Sequence, residues 1–550
     1  MKPWRSFAAA GLTTAAIFGV HGCAVAPQMR GSPCLDGGGR TEDSIAACTA
    51  VISSGKLSPD ELSAALNARG EVYHKRGEDD KAIADFDVAL RLRPDSVDVL
   101  KNRGIAYVAG RDYDRAIRDY DRAIALRPDD AAAFLNRGAA YELKGEIDRA
   151  IQDFDQTIRL KPDGAHAFSN RGQGYRLKGE YDRAIQDLDQ AIRLEPGLSA
   201  AYENRGDVYL LKGDYDRAIR DYGEVIRLEP NDAAAFNARG IAYRLKGDYD
   251  RAIADFDQAI RLKPDDAEVF HSRGLMYALK GDEDRAIKDY DEAIRLRPDD
   301  ADAFHSRGLA HASKDDDDRA IQDYDEEIRL RPNDADAFRS RGLSYASKGD
   351  YDRAIQNYDE AIRLKPDDAD QFARRAYAYR LKGNYDRAIL DYDQAIKLKP
   401  DDERAFSSRG FTYSKQGDYD RAIQDYDQAI RLKPDYLVAL NNRCWARAIA
   451  NRDLELALTD CNQSLRQRPA DPNSLNSRGF VRFRMGQFDE AIRDLTASLE
   501  RDPKSASSLF VRGLAKRRIG DIAGADADLA SARTLRPRID EEFAGYGVRP

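Results

Sequence analysis

Apolar residues recur along most of this chain at steps of three and four, in two runs that repeat as a pair. One run is Leu100, Gly104, Tyr107 and Val108; the next is Ala116, Ile117, Tyr120, Ala123 and Ile124. Such spacing lines up side chains on one face of an α-helix, so each pair of runs predicts two amphipathic helices. The joint between them is usually Lys-Gly-Asp-Tyr-Asp-Arg, as at Lys212 to Arg217. Gly213 suits a left-handed helix end, and Asp214 or Asp216 suits the cap of the helix that follows. A proline followed by acidic residues closes the second helix.

The prolines set the period. Fourteen of the 20 fall in register, from Pro94 and Pro128 to Pro503 and Pro537. The step is 34 residues throughout except for a step of 35 between Pro434 and Pro469. Each is preceded, 24 or 25 positions earlier, by a small residue: glycine in twelve units, Ala376 and Cys444 in the others. Counted from Ser63 the pattern closes at Ile539, a span of 477 residues that holds fourteen units and one inserted residue. Helices of three to four turns are marginal alone in water. The expectation is therefore an array of antiparallel hairpins that stack to bury a shared interior.

The order Leu/Phe, Gly, Tyr, Ala, Tyr/Phe, Ala, Pro over 34 residues resembles the tetratricopeptide repeat (TPR) family. The resemblance covers residues 63–539. It implies an all-α, right-handed superhelical solenoid whose first helices line a concave groove that holds another protein or peptide. One departure recurs. The residue before the glycine is usually apolar in the family, yet here it is Arg in every unit, from Arg69 and Arg103 to Arg478 and Arg512. The Asp-Tyr-Asp of the second helices recurs as regularly, so these arginines are expected to pair with acids such as Asp119 or Asp121.

Composition changes the picture in two ways. With 97 acids finely mixed among 88 bases, and a net charge of −9 over 550 residues, the chain lacks the basic footprint of a nucleic-acid binder. A hydrophobic share of 42% is too high for a disordered polymer. Beyond the first two dozen residues no apolar run is long enough to span a bilayer.

The amino terminus reads differently. Lys2 and Arg5 precede an apolar stretch from Phe7 to Val20, and Val20-His21-Gly22-Cys23 resembles the lipobox of bacterial lipoproteins. Residues 1–22 are thus expected to be a signal peptide cleaved before Cys23, which would carry the lipid. Ala24 in the next position resembles outer-membrane sorting. The competing reading is ordinary cleavage after Ala24-Val25-Ala26, giving a soluble periplasmic or secreted protein. Residues 23–40 read as a linker, 41–62 as a capping half repeat, and 540–550 as a terminal cap tail. Export also fits the cysteines. Cys34 and Cys48 form one local pair, Cys444 and Cys461 another. Cys444 replaces the repeat glycine and Cys461 the facing aromatic, a reciprocal change that suits a bridge between packed helices. Buried free thiols are the alternative.

Candidate chemistry is sparse. His271 and His305 share one repeat position but have no third ligand at suitable spacing, so no metal is expected. The acids at Asp315 to Asp318 lack the glycine turn and distal Glu of a calcium loop. No phosphate loop or nucleophilic triad is present, and neither a cofactor nor an enzymatic activity is expected. The candidate partner-binding residues are Asn102, Asn136, Asn170 and Asn204, two positions before the glycine in four successive units. This series resembles the asparagine ladder of the TPR superhelix in O-linked GlcNAc transferases, and an amide can hold an extended backbone from both sides. Repeat duplication explains it equally well. The unit around Gly308, with Asp315 and Asp317 at the turn and His311 for tyrosine, is expected to be the weakest joint. The resulting reading is a scaffold that captures a protein or extended peptide at the cell envelope, without nucleic acid, and meeting the membrane only through Cys23. The alternative is a structural spacer of an envelope or secretion complex.

Overall fold

The computed structural model describes residues 41–549, so the predicted signal segment, Cys23 and Cys34 lie outside the described residues. The described residues form thirty α-helices and no strand. They divide into two compact units at Lys280/Gly281.

In the first unit, helix Thr41–Ser53 packs against helix Pro59–Lys75, where Cys48 and Ala65 are buried together. Ser58 caps the latter helix with a reciprocal Ser58/Glu61 box. Hairpins then follow in series, such as Val97–Ala109 with Tyr113–Leu126. Each second helix packs against its own first helix and against the first helix of the next repeat. The second unit is built alike, for example by Ala369–Leu381 with Tyr385–Leu398.

Two local devices explain why the units look the same. The joint glycine takes a left-handed conformation (Gly213 φ 76°, Gly349 φ 77°), and the following Asp caps the second helix: Asp214 accepts from the Arg217 N–H. Asp216 instead pairs with Lys246 of the next repeat at 2.5 Å. The first-helix glycine is required by packing. A Cβ at Gly104 would stand 2.5 Å from the Tyr120 ring, and one at Gly138 would stand 2.6 Å from Phe154.

The second unit ends differently. Cys444 and Cys461 are joined by a disulfide across one hairpin, with Cα atoms 5.7 Å apart. Cys48 is also disulfide-bonded and fully buried. Beyond the bridge an aromatic cluster grows around Phe480, Phe510 and Phe543. The short last helix, Ile539–Gly545, joins this cluster through Ile539 and Phe543, and Val548 is buried beyond it.

Candidate binding surface

Arginine sets the register of the repeats. The Arg103 guanidinium donates through Nε and Nη2 to the two oxygens of Asp119, both at 2.7 Å. Its Nη1 donates to Asp87 of the preceding repeat at 2.6 Å. Arg137 does the same with Asp153 and Asp121, and Arg205 with Asp221 and Asp189. Each Asp-Tyr-Asp is therefore shared: its first acid holds the arginine of its own hairpin, its second the arginine of the next. Burial raises the Asp119 pKa against the pull of Arg103. Burial also opposes charge on Arg103, but its hydrogen bonds to Asp119 and Asp87 outweigh it and hold that pKa above the usual range. The arginines are structural, as their pairing with the acids implied.

The asparagine series is corrected by the structure. Asn102, Asn136, Asn170 and Asn204 are all buried, and so offer no ladder to a peptide. Their position falls between consecutive first helices. Asn102 donates to Asn67 at 3.0 Å and Glu71 at 2.8 Å on the preceding one. Asn136 is wholly buried, and neither amide atom has a partner. Nearby polar residues share the seam. Burial lifts the Glu142 pKa to about 7, and burial with neighbouring Asp207, Asp232 and Glu229 lifts Glu203 to about 7. Asp207 takes the Tyr222 hydroxyl at 2.8 Å.

The open face lies elsewhere, at the position just after the repeat glycine. In the second unit this is Leu309 (47% exposed), Leu343 (39%) and Tyr377 (50%), then Phe411 and Trp445 partly buried. A cavity of about 790 Å³ opens beside Leu343, Tyr377 and Leu381, rimmed by Arg374, Arg404, Asp370 and Glu403. The stripe continues to Phe480, which is fully buried under the last helix: Phe543 meets it edge-on, with ring centroids 5.6 Å apart. In the first unit the same position is buried at Ile105, Ala139, Gln173 and Ile241 and partly buried at Glu71, Asp207 and Leu275. The sequence did carry a signal for this stripe. Among nearly identical units, this position varies and turns aromatic toward the end.

Histidines and acids give no metal site among the described residues. His305 instead bonds Glu327 at 2.9 Å, and Asp316 caps a helix through the Arg319 N–H. No helix among the described residues is long and apolar enough to cross a membrane.

The repeats also match known family models. Those described as Tetratricopeptide repeat match residues 101–165, 204–267, 403–436 and 445–515. One described as TPR repeat matches residues 70–110, 172–213, 274–315, 342–379 and 376–417. The chain belongs to the tetratricopeptide repeat family, an all-α solenoid class whose members are protein-interaction scaffolds. No curated protein matches it. Among solved structures it is similar to the MamA protein (30% identity over 31% of this chain and 94% of that one, TM-score 0.30). It is similar also to YrrB, described as a TPR protein with an unusual peptide-binding site (23%, 36% and 97%, 0.31). A third is the Cut9–Hcn1 hetero-tetramer of APC/C (14%, 89% and 96%, 0.39).

Proposed function

We propose that the second unit captures polypeptide segments of other proteins on the stripe Leu309–Leu343–Tyr377. The observation that carries this reading is the exposure of three large apolar side chains at one position of successive first helices. Isolated exposed leucines need no explanation, but an aligned series next to a cavity is the usual mark of an interaction surface. Site-specific photocrosslinkers at 343 and 377 should label bound protein, whereas one at Leu390, exposed on a second helix, should not. Equal labelling from all three positions would defeat the proposal.

The same proposal places the scaffold at the bacterial envelope, tethered by lipid on Cys23. The basic start, the apolar stretch to Val20 and the cysteine after Gly22 support it, as does a disulfide at Cys444–Cys461, since such bonds persist in oxidising compartments. Labelling with radioactive palmitate should mark the protein and should vanish in Cys23→Ser. Labelling that survives the substitution, or never occurs, removes the anchor.

A further inference from the structure

We propose that Phe411 and Lys415 form a seat for the C-terminal turn of a short helix from a partner protein, one bearing an aromatic residue in that turn. This rests on the capture reading above and names the chemistry of what is captured. The chain already uses such a seat once, on itself. Phe480 follows the repeat glycine Gly479, and Arg484 lies four residues further on, its guanidinium 5.2 Å from the Phe480 ring. Phe543 packs edge-on against Phe480, with the ring planes at 77°. Arg484 donates through Nη2 to the carbonyl of Tyr546, the residue that ends helix Ile539–Gly545. The last carbonyls of a helix lack intrahelical donors and carry partial negative charge, so a cation at this point satisfies both. Aromatic anchor and cation together therefore read a helix end.

Two repeats earlier the same pair stands open. Phe411 follows Gly410, and Lys415 lies four residues on, with its ammonium 5.3 Å from the ring. Arg380 stands 5.0 Å from the same ring. Among the described residues neither cation has a carboxylate at ion-pair distance. A cavity of about 430 Å³ opens beside Phe411, Lys415 and Trp445. Its other wall carries Glu541, Glu542 and Tyr546 of the last helix. Those two glutamates are held by Arg538 and Arg536, at 2.7 and 2.9 Å, so they leave Lys415 uncompensated. The chain's own last helix cannot fill this seat while Phe543 is buried against Phe480. Every copy is closed in the same way, so the occupant comes from a different protein.

The test uses the full chain and a labelled synthetic peptide of residues 536–549, which carries the seat's known ligand chemistry. Fluorescence anisotropy should show saturable binding that weakens about tenfold or more in Phe411→Ala and in Lys415→Glu, while Lys415→Arg retains it. A peptide with Phe543 replaced by Ala should fail to bind. Unchanged thermal unfolding of each variant, read by circular dichroism, excludes a folding defect. Binding that ignores both substitutions overturns the seat, because the peptide would then be exchanging with the last helix. Self-association of the full chain that depends on Phe411 also overturns it, by assigning the seat to a second copy. Crosslinks at 343 and 377 without Phe411-dependent peptide binding remove this seat alone, whereas loss of both removes the capture surface as well.

Discussion

Arg239 holds Asp255 of its own hairpin through two hydrogen bonds, at 2.8 and 2.7 Å, but reaches back to an empty place at Gly223. In most other repeats an acid stands there. A Cβ at Gly223 would lie 3.7 Å from Nη1 of Arg239, so the position is open and correctly aimed. Gly223→Asp should stabilise the first unit by about 1 kcal/mol, combining a better helix former with a restored ion pair. Chemical unfolding checks it, with Arg239→Ala removing the ionic part of the gain.

The opposite change should be costly. Arg137 neutralises buried Asp153 and bridges to Asp121. Arg137→Ala leaves Asp153 buried without its cation and should cost roughly 3 kcal/mol. Arg137→Lys keeps the charge but not the fork, and should recover only part of the loss.

At Gly104 the space itself is taken by Tyr120. Gly104→Ala should destabilise by roughly 1–3 kcal/mol despite the better helix propensity of alanine, because the ring must move. Paired with Tyr120→Leu, the same substitution should cost less. Thermal unfolding of the two variants decides it.

Reduction should separate the disulfide from the rest of the second unit. The bridge closes a loop of 17 residues, and its loss in the double Cys→Ser variant at 444 and 461 should cost about 3 kcal/mol. Intact mass with and without reductant, compared between the parent and the double variant, verifies that this bond is present.

The repeat from His305 to Leu330 should respond to pH. Burial works against charge on His305, yet the hydrogen bond and charge of Glu327 prevail and its pKa is raised above 6.5. Burial likewise raises Glu327, partly offset by His305. Asp334, Asp336, Arg339 and Arg331 also face the pair. The folded state therefore binds the imidazole proton more tightly than the unfolded chain. Its stabilisation is complete below 6.5 and disappears as pH rises through the raised value. Hydrogen exchange across 305–330, corrected for intrinsic rates, should quicken from about pH 6 to about pH 8, and His305→Gln should abolish the change. Asp315, held at φ 59° where most other repeats have glycine, adds strain at the same joint.

Period, helix pairs and the arginine–aspartate pairing were legible in the chain because each follows from spacing repeated many times. Tyr120 against Gly104, and Cys461 against Cys444, followed from the same register. The open face was not read from the chain, although its one variable position per repeat carried a signal. Ser340 and Leu343 differ by three positions, hence by about 60° around a helix, and that angle separates a buried side chain from an exposed one. Periodicity identifies the buried stripe but not which of its two margins a neighbouring repeat will cover. The fold of the last helix over Phe480 was hidden for another reason. It depends on Phe543 and Tyr546, which stand outside the repeat and have no counterpart within it.

The double grip shared by most of these arginines also bears on how such a chain changes length. Most hairpins present one acid inward to themselves and one forward to their successor, so excision or duplication of a whole period between them rejoins equivalent partners. No charge is stranded by the event. A molecule wired this way can gain or shed units by recombination without first evolving a new interface, whereas a cut made out of phase would leave a buried carboxylate with nothing to meet it.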